Sequence, residues 1–434
     1  MIDNIKRILE GSKEINEWKI VENKISSKEV FFIKDKIQMN RGKDVLHYKV
    51  TLYRDFEEDN KKYRGSSIIN IHPTMSMEEI KSCIDDASFS AGFVKNEYYP
   101  IPEGNAEKFS KTKSNFCEGN ISDWIEKLSY SLYKENIYEK GFINSSELFL
   151  DRICTRILNS KGLDVSFSQY KGMVQVVTSW EGDKGEIELY NSIRFADYDD
   201  KMIREEIRKQ LLLSEDRAKA LPTPSLNKEN ILLTGKSVKE FLGYYYSKSN
   251  AKGVYDGIST FKKGSKVQGN EVKGDLINMS LNPFMENSTE STPYDEDGFK
   301  LEKIDIIKDG VLLRYWGDVR HSYYLNAEPT GNIGNVFFAG GSKSVDEMKK
   351  EPYLELISFS DFQMDGLTGD FGGEIRLGFY FDGENTVPVT GGSISGNIIE
   401  VEKNLTLSKE IEKENNFSGP KAIQIHGINV LGIK

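Results

Sequence analysis

Apolar and polar residues alternate along residues 26–72, in EVFFIKDKIQM, HYKVTLYRDF and SSIINIH. A period of two sends successive side chains to opposite faces of a pleat, so this region predicts half-buried strands. The period then changes. Ser76 with Glu79 three residues on reads as a capping box, and Ile80, Ile84, Ala87 and Ala91 follow on one helical face. Asn120 stands as a cap before Ile121, Trp124, Ile125, Leu128 and Leu132, a second stripe at helical spacing. Both stripes read as core rather than cofactor contacts.

Strand patterning returns between residues 146 and 195 in SELFLDRICTRIL, LDVSFSQY, MVQVVTSW and EIELYNSIRF, separated by KG and GDKG turns. Residues 199–218 predict a helix. LPTPSLNKEN, residues 221–230, has two prolines and a polar tail that sustain neither regular element, and it is read as a linker. The expected division is an N-terminal α/β domain over 1–220, the linker 221–230, and a β-rich domain over 231–434. In the latter a helix is predicted from Val238 to Tyr246, and Asp309-Gly310 and Asp382-Gly383 between apolar runs predict hairpins. The fold class is therefore α+β: a mixed α/β first domain followed by a largely antiparallel β domain.

The chain has 434 residues and is 38% hydrophobic, enough for two or three sizeable cores. Fifty-eight basic against sixty-eight acidic residues give a net charge of -10, which provides no general attraction for nucleic acid or anionic membranes. The first residues lack a signal-peptide core, and no stretch approaches the roughly 18 apolar residues of a membrane span. Cys83, Cys117 and Cys154, odd in number and widely spaced, fit a reducing compartment. A cytoplasmic location is expected.

Few chemical motifs are complete. Gly235-Lys236-Ser237 imitates the end of a phosphate-binding loop, but the glycine such a loop needs five positions earlier is Asn230. GGSISGN, from Gly391, is not GxGxxG and is not followed by Lys-Ser or Lys-Thr. His47, His72, His321 and His426 are far apart, with no HExxH or HExxxH, no CxxC and no GxSxG. YDEDG, residues 294–298, reads as a solvated acidic turn without calcium-loop spacing.

Several stretches together carry a resemblance. ILLTGKSVKEFLG with VYDGIST, IDIIKDGVLLRYWGDVRHSYYLNAEPTGN, TGDFGGEIRLGFYFDGENTVPVTGGSISGN and GPKAIQIHGINVLG resemble the TldD/PmbA family, and NSSELFLDRICTRILNSKGLDVS does so more weakly. The likeness spans most of the chain and is most specific from Thr368 onward. This family was once labelled modulators of DNA gyrase and is linked to the TldD–TldE metalloproteases. The resemblance implies a dimer around an enclosed peptide-processing chamber.

In the family's catalytic kind, HExxxH lies on the helix soon after the second domain begins, and a late cysteine adds a zinc ligand. Here that helix reads VKEFLGYYYSKSN, without histidine, and no cysteine follows Cys154. The chain therefore resembles the TldE/PmbA kind, which implies no catalytic or metal residue in this chain and zinc in a TldD-like partner. The partners so implied are a TldD-like catalytic subunit in a heterodimer, or a second copy in a homodimeric scaffold, together with an extended peptide. Nucleic acid and membrane are not expected as partners. Within TGDFGG, Thr368, Gly369, Asp370, Phe371 and Gly372 are candidates for peptide contact by strand addition, the alternative being a bulged loop that closes the sheet. Gly391 and Gly392 are expected to serve chain reversal and close packing.

Overall fold

The computed structural model describes residues 1–104, 110–111, 113–183 and 185–433. Long alternating runs in the first half fold into one eight-stranded sheet. Its path runs Asn96–Glu97, Lys61–Ile71, Lys36–Glu58, Glu17–Ile33, Gly141–Asn159, Asp164–Gly182 and Ser110–Lys111, with Gly185–Phe195 also pairing with Asp164–Gly182. Pairing is antiparallel except at Ser110–Lys111.

Four helices cover one face of this sheet. Ile2–Gly11 and Met77–Ala91 pack on Ile20, Val50 and Leu158, whereas Asp123–Tyr133 and Asp200–Ala218 pack around Leu148, Leu150 and Val174. Leu148, Leu150 and Leu158 are an even number of residues apart on a single strand, so both helix pairs share a face. On the opposite face Val21, Ile157, Val165 and Phe167 bury against Tyr294 from the second half.

The predicted capping box forms: Ser76 Oγ accepts from Glu79 N–H at 3.2 Å, and Glu79 Oε2 accepts from Ser76 N–H at 2.7 Å. Asn120 is not a cap. The helix starts at Asp123, whose carboxylate reaches back to Asn120 N–H and satisfies that donor itself. Nor does Lys171-Gly172 turn the chain, because Asp164–Gly182 is one continuous strand. Gly172 is there because the Phe195 ring lies over it, 2.2 Å from where a Cβ would sit. Lys184 of the GDKG turn lies outside the described residues.

The second half contains two sheets. In one, Tyr353–Met364, Leu226–Thr234, Ala422–Leu431, Ser393–Asn397 and Asp370–Phe381 pair in that order, and Asp370–Phe381 pairs again with Tyr353–Met364. Five strands thus close a hydrogen-bonded ring, which removes free edges between them. Thr386–Thr390 and Leu221–Pro222 extend from it. The helix Lys236–Lys248 and this ring share a core that includes Ile231, Leu233, Phe241, Tyr245, Phe371 and Ile425. A six-stranded sheet built on Met279–Leu281 and Ile304–Lys308 adds to that core.

The fold is α+β. Two details of the β half differ from expectation. Residues 221–230 are not structureless, since they hold Leu221–Pro222 and the start of Leu226–Thr234. Proline is tolerated at Pro222 because that strand is a two-residue edge piece. The pairing is also not uniformly antiparallel: Ile231–Leu233, Val336–Phe337 and Val389–Thr390 run parallel to their partners. Asp309 and Gly310, at φ 49° and 71°, make the expected tight hairpin. Among the described residues no helix is long and apolar enough to cross a membrane.

Candidate functional site

The candidate segment begins in a closed turn. Asp365 carboxylate accepts the N–H groups of Leu367 at 2.7 Å and Thr368 at 3.2 Å, which hold its pKa below the usual carboxylate range. Gly369, at φ 82°, donates to Asp365 O, and Thr368 Oγ1 donates to Asp370 Oδ2 at 2.8 Å. Asn397 Nδ2 closes the far side through Asp370 Oδ1 and Thr368 O.

From Asp370 the chain is a strand paired on both sides. Phe371 and Gly372 face Met364 and Gln363 on one neighbour and Gly396 and Ser395 on the other. A peptide adding to this strand would find its backbone groups already used, so the expected strand addition at residues 370–372 is closed off. Glycine is required at 372 because a Cβ would stand 2.8 Å from Ile394 O.

What remains open is a groove of about 800 Å³ beside the strand. Asp370, Phe371 and Gly372 line it, with Phe362 and Met364 from the adjacent strand and Glu240 from the helix Lys236–Lys248. Asp361 and Asp365 add two further carboxylates. Thr368 and Gly369 are not part of its wall. Phe371 forms the floor, buried edge-on against Phe241 at 5.2 Å. Sequence reasoning missed Glu240, Asp361 and Phe362, which enter the groove only through the cross-strand register and the helix docking.

The helix Lys236–Lys248 starts where the false phosphate motif stands. Gly235, at φ 62°, precedes it, Ser237 Oγ donates to Thr234 O, and Lys236 Nζ donates to Asn191 Oδ1 and Ser192 O of the first half. The lysine is therefore a strut between the halves. Further along, Tyr244 and Tyr245 are buried and Tyr246 stacks on Trp316 with centroids 4.1 Å apart. These tyrosines sit in the core of the second half, so they are packing residues. Burial pushes the Tyr244 phenol up to about 12 and that of Tyr245 well above its ordinary value, so both stay protonated at neutral pH.

Among the described residues no three His, Cys, Asp or Glu side chains come together in a way that could hold a metal ion. His321 Nδ1 pairs with Asp318, and His426 Nδ1 with Asn230. A zinc ion needs three or four convergent deprotonated donors. The residues present do not fit one.

Tyr245 donates instead to Glu402 Oε2 at 3.2 Å. Burial raises the Glu402 pKa from 4.5 to about 7, against smaller opposing effects of Tyr245 and Lys403. Between those values the folded chain keeps a proton that the unfolded chain has lost. Stability on this account is fully present below pH 4.5 and falls until the pH passes about 7. Glu402→Gln mimics the protonated form. Its stability should match the wild type near pH 4 and exceed it by about 1–3 kcal/mol at pH 8, seen as a pH-dependent gap in urea midpoints. A gap that stays constant with pH would exclude this titration as its source.

Residues 227–432 match the model of the PmbA/TldA metallopeptidase C-terminal domain. The second half of the chain is thus a domain of the PmbA/TldA type. Metalloprotease PmbA of Escherichia coli O157:H7 is 28% identical over 175 residues, 38% of this chain and 39% of that protein. An uncharacterised protein of Methanocaldococcus jannaschii is 22% identical over 209 residues, 45% of this chain and 49% of that protein. The chain thus spans about two-fifths to half the length of these curated relatives.

The TldD/PmbA fold extends over the whole chain. The crystal structure of TldE from Thermococcus kodakarensis superposes with a TM-score of 0.78 at 17% identity, covering 99% of this chain and 100% of that one. A proposed modulator of a DNA gyrase from Thermotoga maritima gives 0.79 at 15% identity, with 99% and 100% coverage.

Proposed function

We propose that this chain is a non-catalytic, TldE/PmbA-like subunit of a zinc metalloprotease complex. It joins a TldD-like subunit that supplies the zinc, and it helps to enclose extended peptides for cleavage in the cytoplasm. One observation carries the reading. On the helix where the family resemblance implies zinc ligands, this chain has buried, protonated tyrosines, and the donor set for a metal is missing among its described residues. The likeness to metalloprotease PmbA and to TldE supports the association with proteolysis. With strand addition closed at residues 370–372, peptide contact falls to side chains of the groove beside Glu240.

The test is to purify the chain alone and co-expressed with a TldD-like subunit bearing HExxxH, then to measure zinc content, mass in solution and cleavage of labelled casein. The lone chain should carry only traces of zinc and cut nothing. The co-expressed pair should elute together, hold zinc and lose activity to a chelator. Stoichiometric zinc with cleavage by the lone chain would overturn the proposal, as would a stable self-dimer that ignores the TldD-like subunit.

A further inference from the structure

Where the two halves meet there is a second cavity, of about 770 Å³. Its volume lies in the range of roughly 300–1,000 Å³ that small-ligand sites occupy. Pro102, Glu103 and Leu163 form the wall from the first half. The wall from the second half is apolar over Tyr294, Phe299, Ile304, Leu313 and Tyr315. Charges of both signs line it, Lys263, Lys300 and Arg314 against Glu103, Glu302 and Glu328. Of these, Lys263, Arg314, Glu302 and Glu328 make no side-chain ion pair or hydrogen bond among the described residues, whereas Lys300 is engaged. Tyr315 nonetheless fixes the backbone beside one of them, its hydroxyl accepting Lys263 N–H at 3.2 Å.

Cations and carboxylates that border one cavity without meeting each other leave both signs available to a ligand. Apolar side chains in the same wall favour a ligand that carries apolar groups as well as charges of both signs. We infer that this cavity binds a short zwitterionic peptide. Its carboxylate is held by Lys263 and Arg314, its ammonium by Glu302 and Glu328, and its apolar side chains lie against Tyr294, Phe299 and Tyr315. The choice of a peptide over other zwitterions rests on the proposed role in peptide cleavage. Adding water across an internal amide leaves a new carboxylate on one fragment and a new ammonium on the other, so every short fragment excised from a chain carries both. The cavity is walled separately from the groove beside Glu240 and would hold products of the complex rather than its extended substrate.

The test is calorimetric titration of the full-length chain with alanyl-leucyl-phenylalanyl-alanine in free, N-acetylated and C-amidated forms. The free peptide should bind, and blocking either end should weaken it roughly 3- to 10-fold, the scale of exposed ionic contacts. The pair Lys263→Gln with Arg314→Gln should abolish the effect of amidation and keep that of acetylation. Glu302→Gln with Glu328→Gln should do the reverse. All four residues are exposed, so these variants should keep the wild-type circular dichroism. The inference is overturned if the free peptide fails to bind at millimolar concentration, if the blocked peptides bind as well as the free one, or if neither pair of substitutions removes the dependence on its terminus. Binding to the lone chain and partner-dependent cleavage are separate readouts, so failure of one is distinguishable from failure of the other.

Discussion

Arg64→Ala is expected to lower the unfolding free energy by about 3–5 kcal/mol, the scale for stranding buried charges. Arg64 is fully buried. Its Nε and Nη2 donate to the two carboxylate oxygens of Asp55 at 2.7 and 2.9 Å, and Nη1 donates to Tyr99 O at 2.7 Å and ion-pairs with Glu17 at 2.8 Å. The guanidinium also lies 4.5 Å from the Tyr98 ring centroid. Asp55 is its direct cross-strand partner, while Glu17 comes from the next strand and Tyr99 from the segment that meets Tyr324 of the second half. One side chain therefore ties three strands to the contact between the halves.

The carboxylates raise the Arg64 pKa despite its burial, so the charge is present throughout the accessible pH range. Alanine would leave the Asp55 carboxylate without it and Glu17 with Lys161 alone, at 3.0 Å. Arg64→Lys should recover only part of the loss, because an ammonium cannot make the bidentate contact with Asp55. Adding Asp55→Asn and Glu17→Gln to Arg64→Ala should restore stability in part, since most of the penalty belongs to the abandoned acids. Urea midpoints of the four proteins decide it. A loss below about 1 kcal/mol for Arg64→Ala would mean that water reaches the site and that the network is a surface feature.

Arg64 also shows what a sequence can and cannot disclose. In KKYRGSS it is one basic residue among several, and only the arrival of Asp55, Glu17 and Tyr99 around it makes it a core residue. Alternation identified the long strands because faces repeat every second residue, and Ser76 with Glu79 fixed a helix start because a capping box is closed by neighbours. Edges are different. Nothing within TGDFGG states that Met364 and Gly396 flank Phe371, so its pairing on both sides emerged only from the closed ring of strands. The groove likewise needs Glu240 brought to residues 361–365 by helix docking, over more than a hundred residues of chain. Glycine was ambiguous for the same reason, marking a turn at Gly310 and a ring stacked over the backbone at Gly172.

Gly392 joins both uses of glycine, and Gly392→Ala is expected to cost about 2–5 kcal/mol from a left-handed conformation plus overpacking. Gly391 and Gly392, at φ 79° and 78°, reverse the chain between Thr386–Thr390 and Ser393–Asn397. The turn is pinned to the strand below it, Gly391 N–H donating to Ile375 O and Ile375 N–H to Gly392 O, both at 2.9 Å. Behind it passes the end of Ala422–Leu431, and a Cβ on residue 392 would stand 2.3 Å from Leu431 O. That oxygen has little freedom to retreat. The adjoining Gly432 is itself so close to Thr223 O that a Cβ there would come within 2.3 Å, and Ile433 N–H donates to the same oxygen.

Gly427→Ala is the matched control. Gly427 has φ 81° but nothing within 4 Å of its would-be Cβ, so it should lose only the left-handed term, about 1–2 kcal/mol. The excess of Gly392→Ala over Gly427→Ala in urea midpoints measures the clash alone, and equal losses would show that the backbone at Leu431 yields. If it does not yield, Ser393–Asn397 must shift, and that strand supplies the partners of residues 370–374. Hydrogen exchange at Phe371 and Gly372 should then speed up with little change in the first-half sheet, which places the groove wall under the control of a turn that does not touch it.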